Sequence, residues 1–361
     1  MWRTLMKKTA LIMAGGIGER FWPRSRKALP KQFLSLTEDN KTMIQLTVER
    51  ILPLVDMEDI YIATNEVYKG LVRKQLPLLP EENILCEPMG RNTAPCIGLG
   101  AACISKKYED ALMIVLPSDH VIKCIDVFRD TLTAACEVAE AGDNLVTMGI
   151  TPNYPETGYG YIKFYKDEVL GKANLVEQFV EKPDLETAKA YLASGEYLWN
   201  SGMFVWKVST ILKRMEEFLT ETYAGLMKIK EALGTDAFTS VLKDEFTAFE
   251  SVSIDYGILE KADHIYTLPG NFGWDDVGSW LAVKRLHEPD EKDNLLLGNV
   301  IAIDCDNCIV EGKERLIAMA GVKDLIVVDE SDALLICHKD NAGQIKDIIK
   351  ELKEKQMEQY L

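Results

Sequence analysis

The sequence predicts an α/β protein: a Rossmann-like, mixed but mostly parallel sheet, then a small β-rich module and a closing helix. Three observations carry this. Strand and helix signals alternate through the first 150 residues. The strands are continuous apolar runs, as in a parallel sheet covered on both faces. Beyond Asn294 the texture switches to short β-rich runs between Asp, Asn and Gly turns. A chain of 361 residues has room for two domains at about 150 residues each. The expected division is 1–290 and 291–361.

The first strand is Leu11 to Ala14, and Thr42-Met-Ile-Gln45 opens a helix as a capping box. Strands are expected at Ile60 to Ala63, Asn83 to Cys86, Leu112 to Leu116 and Leu145 to Gly149. Between them lie helices at Glu66 to Leu76, Asn92 to Lys106 and Asp126 to Ala141. Such a sheet binds ligands at the carboxyl ends of its strands. Gly158 to Phe164 and Asn174 to Val180 then read as antiparallel strands, followed by three helical stretches from Val208 to Phe249. Phe272 to His287 is a loop and helix. In the tail, runs such as Val300 to Ile303 and Leu325 to Val328 suggest an all-β module, of which a short left-handed β-helix is one form. The last helix is amphipathic, with Ile345, Ile348, Ile349 and Leu352 on one face.

Lys and Arg number 41 against 57 Asp and Glu, for a net charge of −16. A chain this acidic repels nucleic acid and anionic membrane, so an anionic substrate must meet a local basic patch. No apolar run approaches the roughly 20 residues of a bilayer span. The opening MWRTLMKKTALIMAGG reads as a first strand and not a signal peptide, with Met6 as an alternative start. Eight scattered cysteines without a secretion signal imply reduced thiols and a cytoplasmic protein. Cys305-Asp-Asn-Cys308 lacks a second ligand pair other than Cys337-His338, and reads as turn and strand positions, not a zinc site.

The basic patch follows the first strand. Gly15, Gly16 and Gly18 let backbone N–H groups approach an anion. The segment Gly15 to Lys31 holds Arg20, Arg24, Arg26, Lys27 and Lys31 against Glu19 alone. Neither a P-loop nor a dinucleotide fingerprint fits, because Phe21 and Pro23 stand where the latter needs glycine and helix. Gly-Gly-x-Gly-x-Arg followed by Pro-Lys resembles the signature of the sugar-1-phosphate nucleotidyltransferases.

Further motifs extend the resemblance over nearly the whole chain. Asp119, in Leu116-Pro-Ser-Asp-His120, stands directly after a strand and is placed to hold Mg²⁺. Its family counterpart is a metal ligand. In Trp274-Asp-Asp-Val-Gly278 the family pattern falls on Asp276 as the second ligand, leaving Asp275 a supporting role. Glu181 and Lys182, in Val180-Glu-Lys-Pro183, match the motif that holds sugar hydroxyls and the sugar phosphate. Asn200 matches the Asn-Ser-Gly motif for sugar hydroxyls, and the resemblance implies that Gly158 and Gly160 would bring backbone close to the sugar. Glu87, Arg91, Asn92 and Thr93 lie in Glu87-Pro-Met-Gly-Arg-Asn-Thr-Ala-Pro95, and the resemblance implies that this region contacts the base.

That last string, with Pro30-Lys-Gln-Phe33 and Gly273 to Trp280, resembles the mannose-1-phosphate guanylyltransferases of the short bacterial type, without the cupin-like isomerase domain of longer relatives. The resemblance implies transfer of GMP from GTP to mannose 1-phosphate with Mg²⁺. Arg20 and Lys31 would then take up charge on the leaving pyrophosphate. Another sugar or base is the nearer alternative, and a nucleotide-sugar-binding regulator without turnover the more distant one. The β-rich tail and final helix are candidates for a homodimer contact.

Overall fold

The computed structural model describes residues 6–361. Of the two candidate starts, Met1 lies outside the described residues. The chain forms two compact units, each assembled from separated stretches. One comprises the chain up to Gly15, Val48–Ser118 and Ile122–Trp274; the other comprises Gly16–Thr47, Asp119–Val121 and Asp275–Leu361.

The first unit is built on a nine-stranded mixed sheet. Its strands in chain order are β1 (Lys8–Ala14), β2 (Ile60–Asn65), β3 (Ile84–Glu87), β4 (Leu112–Pro117), β5 (Leu145–Ile150), β6 (Tyr161–Leu170), β7 (Ala173–Val180), β8 (Tyr197–Lys207) and β9 (Ile265–Gly270). The spatial order is β3-β2-β1-β4-β8-β5-β9-β7-β6, with β8 also pairing β6. The run β3-β2-β1-β4 is parallel, with Leu11 opposite Tyr61 on one side and Val115 on the other. Leu11, Ile12, Ile62 and Ile114 have no exposed surface. Burial on both faces is why these strands read as unbroken apolar runs.

Sequence reasoning missed β8, the eleven-residue strand that joins the two halves of the sheet. It runs antiparallel to both β4 and β5. Asn200, Ser201 and Gly202 interrupt its apolar pattern, and Gly202 has φ +68°. Helices α1 (Thr93–Lys107), α2 (Ile125–Glu140), α3 (Val208–Phe218), α4 (Thr220–Ala232) and α5 (Phe238–Ala248) cover the sheet. Ile97 of α1, Ile211 of α3, Leu226 of α4 and Phe246 of α5 share one core with Leu11, Val115 and Trp206. The expected helix at 66–76 opens as a 3₁₀ turn before Lys69–Gln75.

The second unit holds the β-rich tail. β10 (Leu295–Leu297), β12 (Ile309–Glu311) and β14 (Leu325–Asp329) stack in parallel, and β15 (Leu334–His338) closes that sheet antiparallel. β11 (Val300–Ile303) and β13 (Ile317–Ala320) form a second parallel face. Leu295, Ile309 and Ile326 stand in register and are 2%, 1% and 0% exposed, so each turn of chain stacks an apolar rung on the last. This is a β-helix. Helix α6 (Ile345–Glu354) follows. Its Ile345 and Ile349 share a core with Phe21, Trp22, Val277 and Trp280. Among the described residues no helix is long and apolar enough to cross a membrane.

Candidate active site

The glycine-rich segment folds within the second unit from Gly16 onward. Gly18 has φ +71°, and a Cβ there would lie 2.4 Å from Cβ of Lys31. Both the dihedral and the close approach demand glycine. The turn is set by Phe21 N donating to the Gly18 carbonyl at 2.9 Å, and by Ser25 Oγ donating to the same oxygen at 2.7 Å. Phe21 packs its ring on Trp280 at 5.5 Å between centroids. A buried aromatic floor therefore holds the turn.

The five cations of this segment have different fates. Arg24 pairs with Glu311 and lies 3.9 Å from Glu330. Arg26 pairs with Asp332 at 2.8 Å and donates to the Tyr360 carbonyl. Lys27 pairs with Glu358. Three of the cations counted in the sequence as a basic patch thus fasten the loop to the C-terminal module. Arg20 is exposed and has no carboxylate in ion-pair reach among the described residues. Lys31 is buried; its Nζ donates to Asp119 Oδ2 at 2.7 Å and to the Asp276 carbonyl at 2.6 Å.

These groups line a cavity of about 450 Å³, walled by Gly18, Arg20, Lys31, Asp119, Asp276 and Lys346 among others. Burial works against the Asp119 charge, but the Lys31 ammonium, with His120, outweighs it and holds the carboxyl below its ordinary value. Asp275 and Asp276 are neighbours with different surroundings. Asp275 makes a two-pronged pair with Arg285 at 2.7 and 3.0 Å and accepts from Val277 N at 2.8 Å. The Asp276 carboxylate has no ion-pair partner among the described residues and stands on the cavity wall. Asp119 and Asp276 offer an oxygen-only donor set beside an anion-sized cavity, which suits a hard divalent cation. A separate acidic group, Asp56, Glu58 and Asp59, lies in the first unit. There Lys7 and Lys107 reach Asp59 at 2.6 and 3.0 Å.

The remaining predicted residues lie in the first unit, with Gly15 at the end of β1. Gly160 precedes β6, and a Cβ there would lie 2.5 Å from Glu181 Oε2 and 3.3 Å from Asn200 Cβ. Its carbonyl accepts from Asn200 N at 2.8 Å. Gly158 N donates to Glu156 Oε1 at 2.8 Å. Glu181 sits at the end of β7 with Lys182 Nζ on its Oε1 at 2.8 Å. Asn200 Nδ2 donates to Asp255 Oδ1 at 2.9 Å, while its Oδ1 accepts from Thr147 Oγ1 at 3.1 Å and Gly202 N at 3.2 Å. With the amide oxygen doubly engaged, the second N–H of Asn200 is the group left to meet a ligand.

The strand β3 ends on Glu87, which is 6% exposed and has one carboxylate oxygen without a hydrogen-bond partner. Burial pushes its carboxyl up to about 7, against a contact from the Cys96 thiol. The three residues of the same loop have partners inside the fold. Arg91 donates to the Phe246 and Thr247 carbonyls at 2.9 and 2.7 Å. Asn92 caps α1 by accepting from Thr93 N at 2.8 Å, and Thr93 Oγ1 accepts from Ile254 N at 2.8 Å.

A nucleotidyl transferase family model matches residues 9–293, and a mannose-phosphate isomerase/GMP-like β-helix domain matches 298–352. The chain is 43% identical over 346 residues to the xanthan biosynthesis protein XanB of Xanthomonas campestris pv. campestris, covering 95% of this chain and 73% of that protein. It is 40% identical over 353 residues to a mannose-1-phosphate guanylyltransferase of Salmonella montevideo, covering 96% and 74%. The chain belongs to the mannose-1-phosphate guanylyltransferase family of nucleotidyl transferases. A crystal structure from Thermus thermophilus, described as a mannose-1-phosphate geranyltransferase, superposes with a TM-score of 0.86 at 34% identity, covering 96% of this chain and all of that one.

Two residues of this family member escaped sequence reasoning. Asp255 opens a π-helical turn, accepts from Asn200 Nδ2 and lies within reach of the Glu181 charge. Burial, then the Glu181 charge, push its carboxyl up to about 7. The available signal was a lone carboxylate in the apolar run Ile254 to Leu259. Lys346 is the other: it lies in the tail but lines the cavity of Lys31 and Asp276. Nothing in its local sequence distinguishes it from the other lysines of α6.

Proposed function

We propose that this nucleotidyltransferase transfers GMP from GTP to mannose 1-phosphate, releasing pyrophosphate and forming GDP-mannose. The choice of mannose and guanine follows the family and the named activity of relatives such as the Salmonella montevideo protein. The observation that carries the chemistry is the cavity where Lys31 bridges Asp119 and the Asp276 backbone, with Arg20 on the same wall.

A phosphate oxygen of mannose 1-phosphate forms a bond to the α-phosphorus of GTP. The bond from that phosphorus to the bridging oxygen breaks, and its electron pair leaves with pyrophosphate. The attacking phosphate is ionised at neutral pH, so no general base is needed, and catalysis is positioning plus charge neutralisation. Arg20 and Lys31 take up charge on the departing pyrophosphate. Asp119 and Asp276 are the residues that would hold Mg²⁺, which supplies neutralisation of the α-phosphate when bound. Lys182 anchors the sugar phosphate, Glu181 accepts from sugar hydroxyls and Asn200 donates to one. Glu87 reads the base, and backbone N–H groups of Gly15, Gly16 and Gly18 meet the phosphates. The same reading takes the enzyme as cytoplasmic. It pairs two copies over the exposed Ile301, Ile303, Leu334 and Ile336, which light scattering checks.

Pyrophosphate release, scored over a panel of nucleoside triphosphates and sugar 1-phosphates, tests the activity. GTP with mannose 1-phosphate should give the highest kcat/KM. A higher value with another pair overturns the substrate choice. No release with any pair overturns the activity and favours a binding-only regulator.

A further inference from the structure

We propose that Lys346, on helix α6 of the C-terminal module, is a third phosphate-binding cation of the active site. It contacts the triphosphate tail of the nucleotide and the pyrophosphate that leaves. The proposal rests on the guanylyl-transfer reading above, and it gives the β-helix module a direct part in binding.

Lys346 lines the cavity that also holds Arg20, Lys31, Asp119 and Asp276. The helix that carries it is fixed on the glycine-rich loop. Ile345 and Ile349 are 1% and 4% exposed in a core with Phe21, Trp22 and Trp280. Lys353 pairs with Glu19 at 2.9 Å. Beyond the helix, Trp22 Nε1 and Arg26 both donate to the Tyr360 carbonyl, the former at 2.7 Å. Lys346 follows Ile345 directly, so its Cα is held by this packing, and the residue as a whole is exposed.

The charge inventory of the cavity singles it out. Lys31 is bound to Asp119 and the Asp276 carbonyl, and Glu19 to Lys353. On α6, Lys350 has Glu354 at 3.9 Å, and the following Lys355 has Glu351 at 2.9 Å. Lys346 has no carboxylate in ion-pair reach among the described residues. It and Arg20 are the two cations on the cavity wall without a carboxylate partner among those residues. A polyphosphate carries several charges over three or four bonds' length, and a flexible ammonium meets such a spread charge as a movable point charge.

The test uses the full-length chain with Lys346→Ala, Lys346→Arg and, on the same helix, Lys350→Ala. Pyrophosphate binding is titrated at equilibrium, and KM is measured for GTP and for mannose 1-phosphate. Lys346→Ala should weaken pyrophosphate binding and raise the GTP KM by about tenfold, the equivalent of about 1.4 kcal/mol. The KM for mannose 1-phosphate should stay within about twofold of wild type, well below a single charge-assisted contact. Lys346→Arg should recover most of the loss, and Lys350→Ala should match wild type. Wild-type pyrophosphate affinity in Lys346→Ala overturns the proposal. So does an equal loss in Lys350→Ala, which would mark a diffuse charge effect. The titration needs no turnover. If Lys346→Ala loses pyrophosphate affinity while the wild type transfers no GMP, this proposal stands and the guanylyl-transfer reading falls.

Discussion

The cavity of the second unit and the carboxylate cluster of the first handle charge in opposite ways. Around Lys31, opposite charges meet at hydrogen-bond distance, and Asp119 is held below its ordinary pKa. Around Asn200, the carboxylates of Asp255 and Glu181 crowd together. Asp255 is pushed up to about 7, and Glu87 at the end of β3 reaches about 7 through burial. The first arrangement favours the ionised form of Asp119, as the proposed site for phosphates and a cation would require. The second keeps carboxyl groups near their titration point, where donor hydroxyls or N–H groups of a ligand would favour ionisation. On the proposed reading, phosphate transfer uses the fixed charge, and recognition of sugar and base uses directional acceptors.

The largest expected effect breaks the fixed-charge side. Asp119→Asn should lower turnover by about a thousandfold, the scale of losing one preorganised electrostatic contact. The melting temperature should fall as well, because the buried Lys31 ammonium loses its ion-pair partner; melting curves and initial rates check both. Gly18→Ala comes next. It places a methyl 2.4 Å from Cβ of Lys31 at φ +71°, so it should cost about 1–3 kcal/mol of stability and most of the activity. Denaturant unfolding measures it.

Asp255→Asn sharpens the other side. It should raise the KM for mannose 1-phosphate by about tenfold with little change for GTP, on the order of one charged hydrogen bond. It should also alter the pH dependence of stability. A carboxyl whose folded pKa is raised from 3.8 to about 7 binds more protons folded than unfolded between those values. Its contribution to stability therefore falls as pH rises through that window and is level above it. Asp255→Asn should flatten the decline in melting temperature between about pH 5 and 7, inside that window. An unchanged slope would show that Asp255 is not the titrating group. The smallest effect belongs to Lys27→Ala. Its pair with Glu358 is half-exposed on both sides, so the loss should stay within about 1 kcal/mol, measured by urea unfolding.

The parallel half of the sheet was legible because burial on both faces forces continuous apolar runs, as in Leu112 to Leu116. The antiparallel β8 was not, because Asn200, Ser201 and Gly202 look like a loop motif and only long-range pairing with β4 and β5 makes them a strand. The glycines and Lys31 could be read locally, since Gly18 and Lys31 are in contact through one tight turn. The fate of Arg24, Arg26 and Lys27 could not. Their partners Glu311, Asp332 and Glu358 lie about 300 residues away in the chain. Asp255 and Lys346 escaped for the same reason. Each joins its cluster only after a distant segment has packed beside it.

The contrast between Asp275 and Asp276 allows the most direct measurement. One carboxylate is held by Arg285, and the other faces the cavity with Lys31 on its carbonyl. The quantity to measure is the initial rate of pyrophosphate release from GTP and mannose 1-phosphate by Asp276→Asn and Asp275→Asn. Asp276→Asn should fall by about a thousandfold at unchanged melting temperature. Asp275→Asn should keep its rate within about tenfold while losing stability with the Arg285 pair. A near-wild-type rate in Asp276→Asn, with Asp275→Asn inactive, would contradict the assignment of the cavity as the site of phosphoryl chemistry.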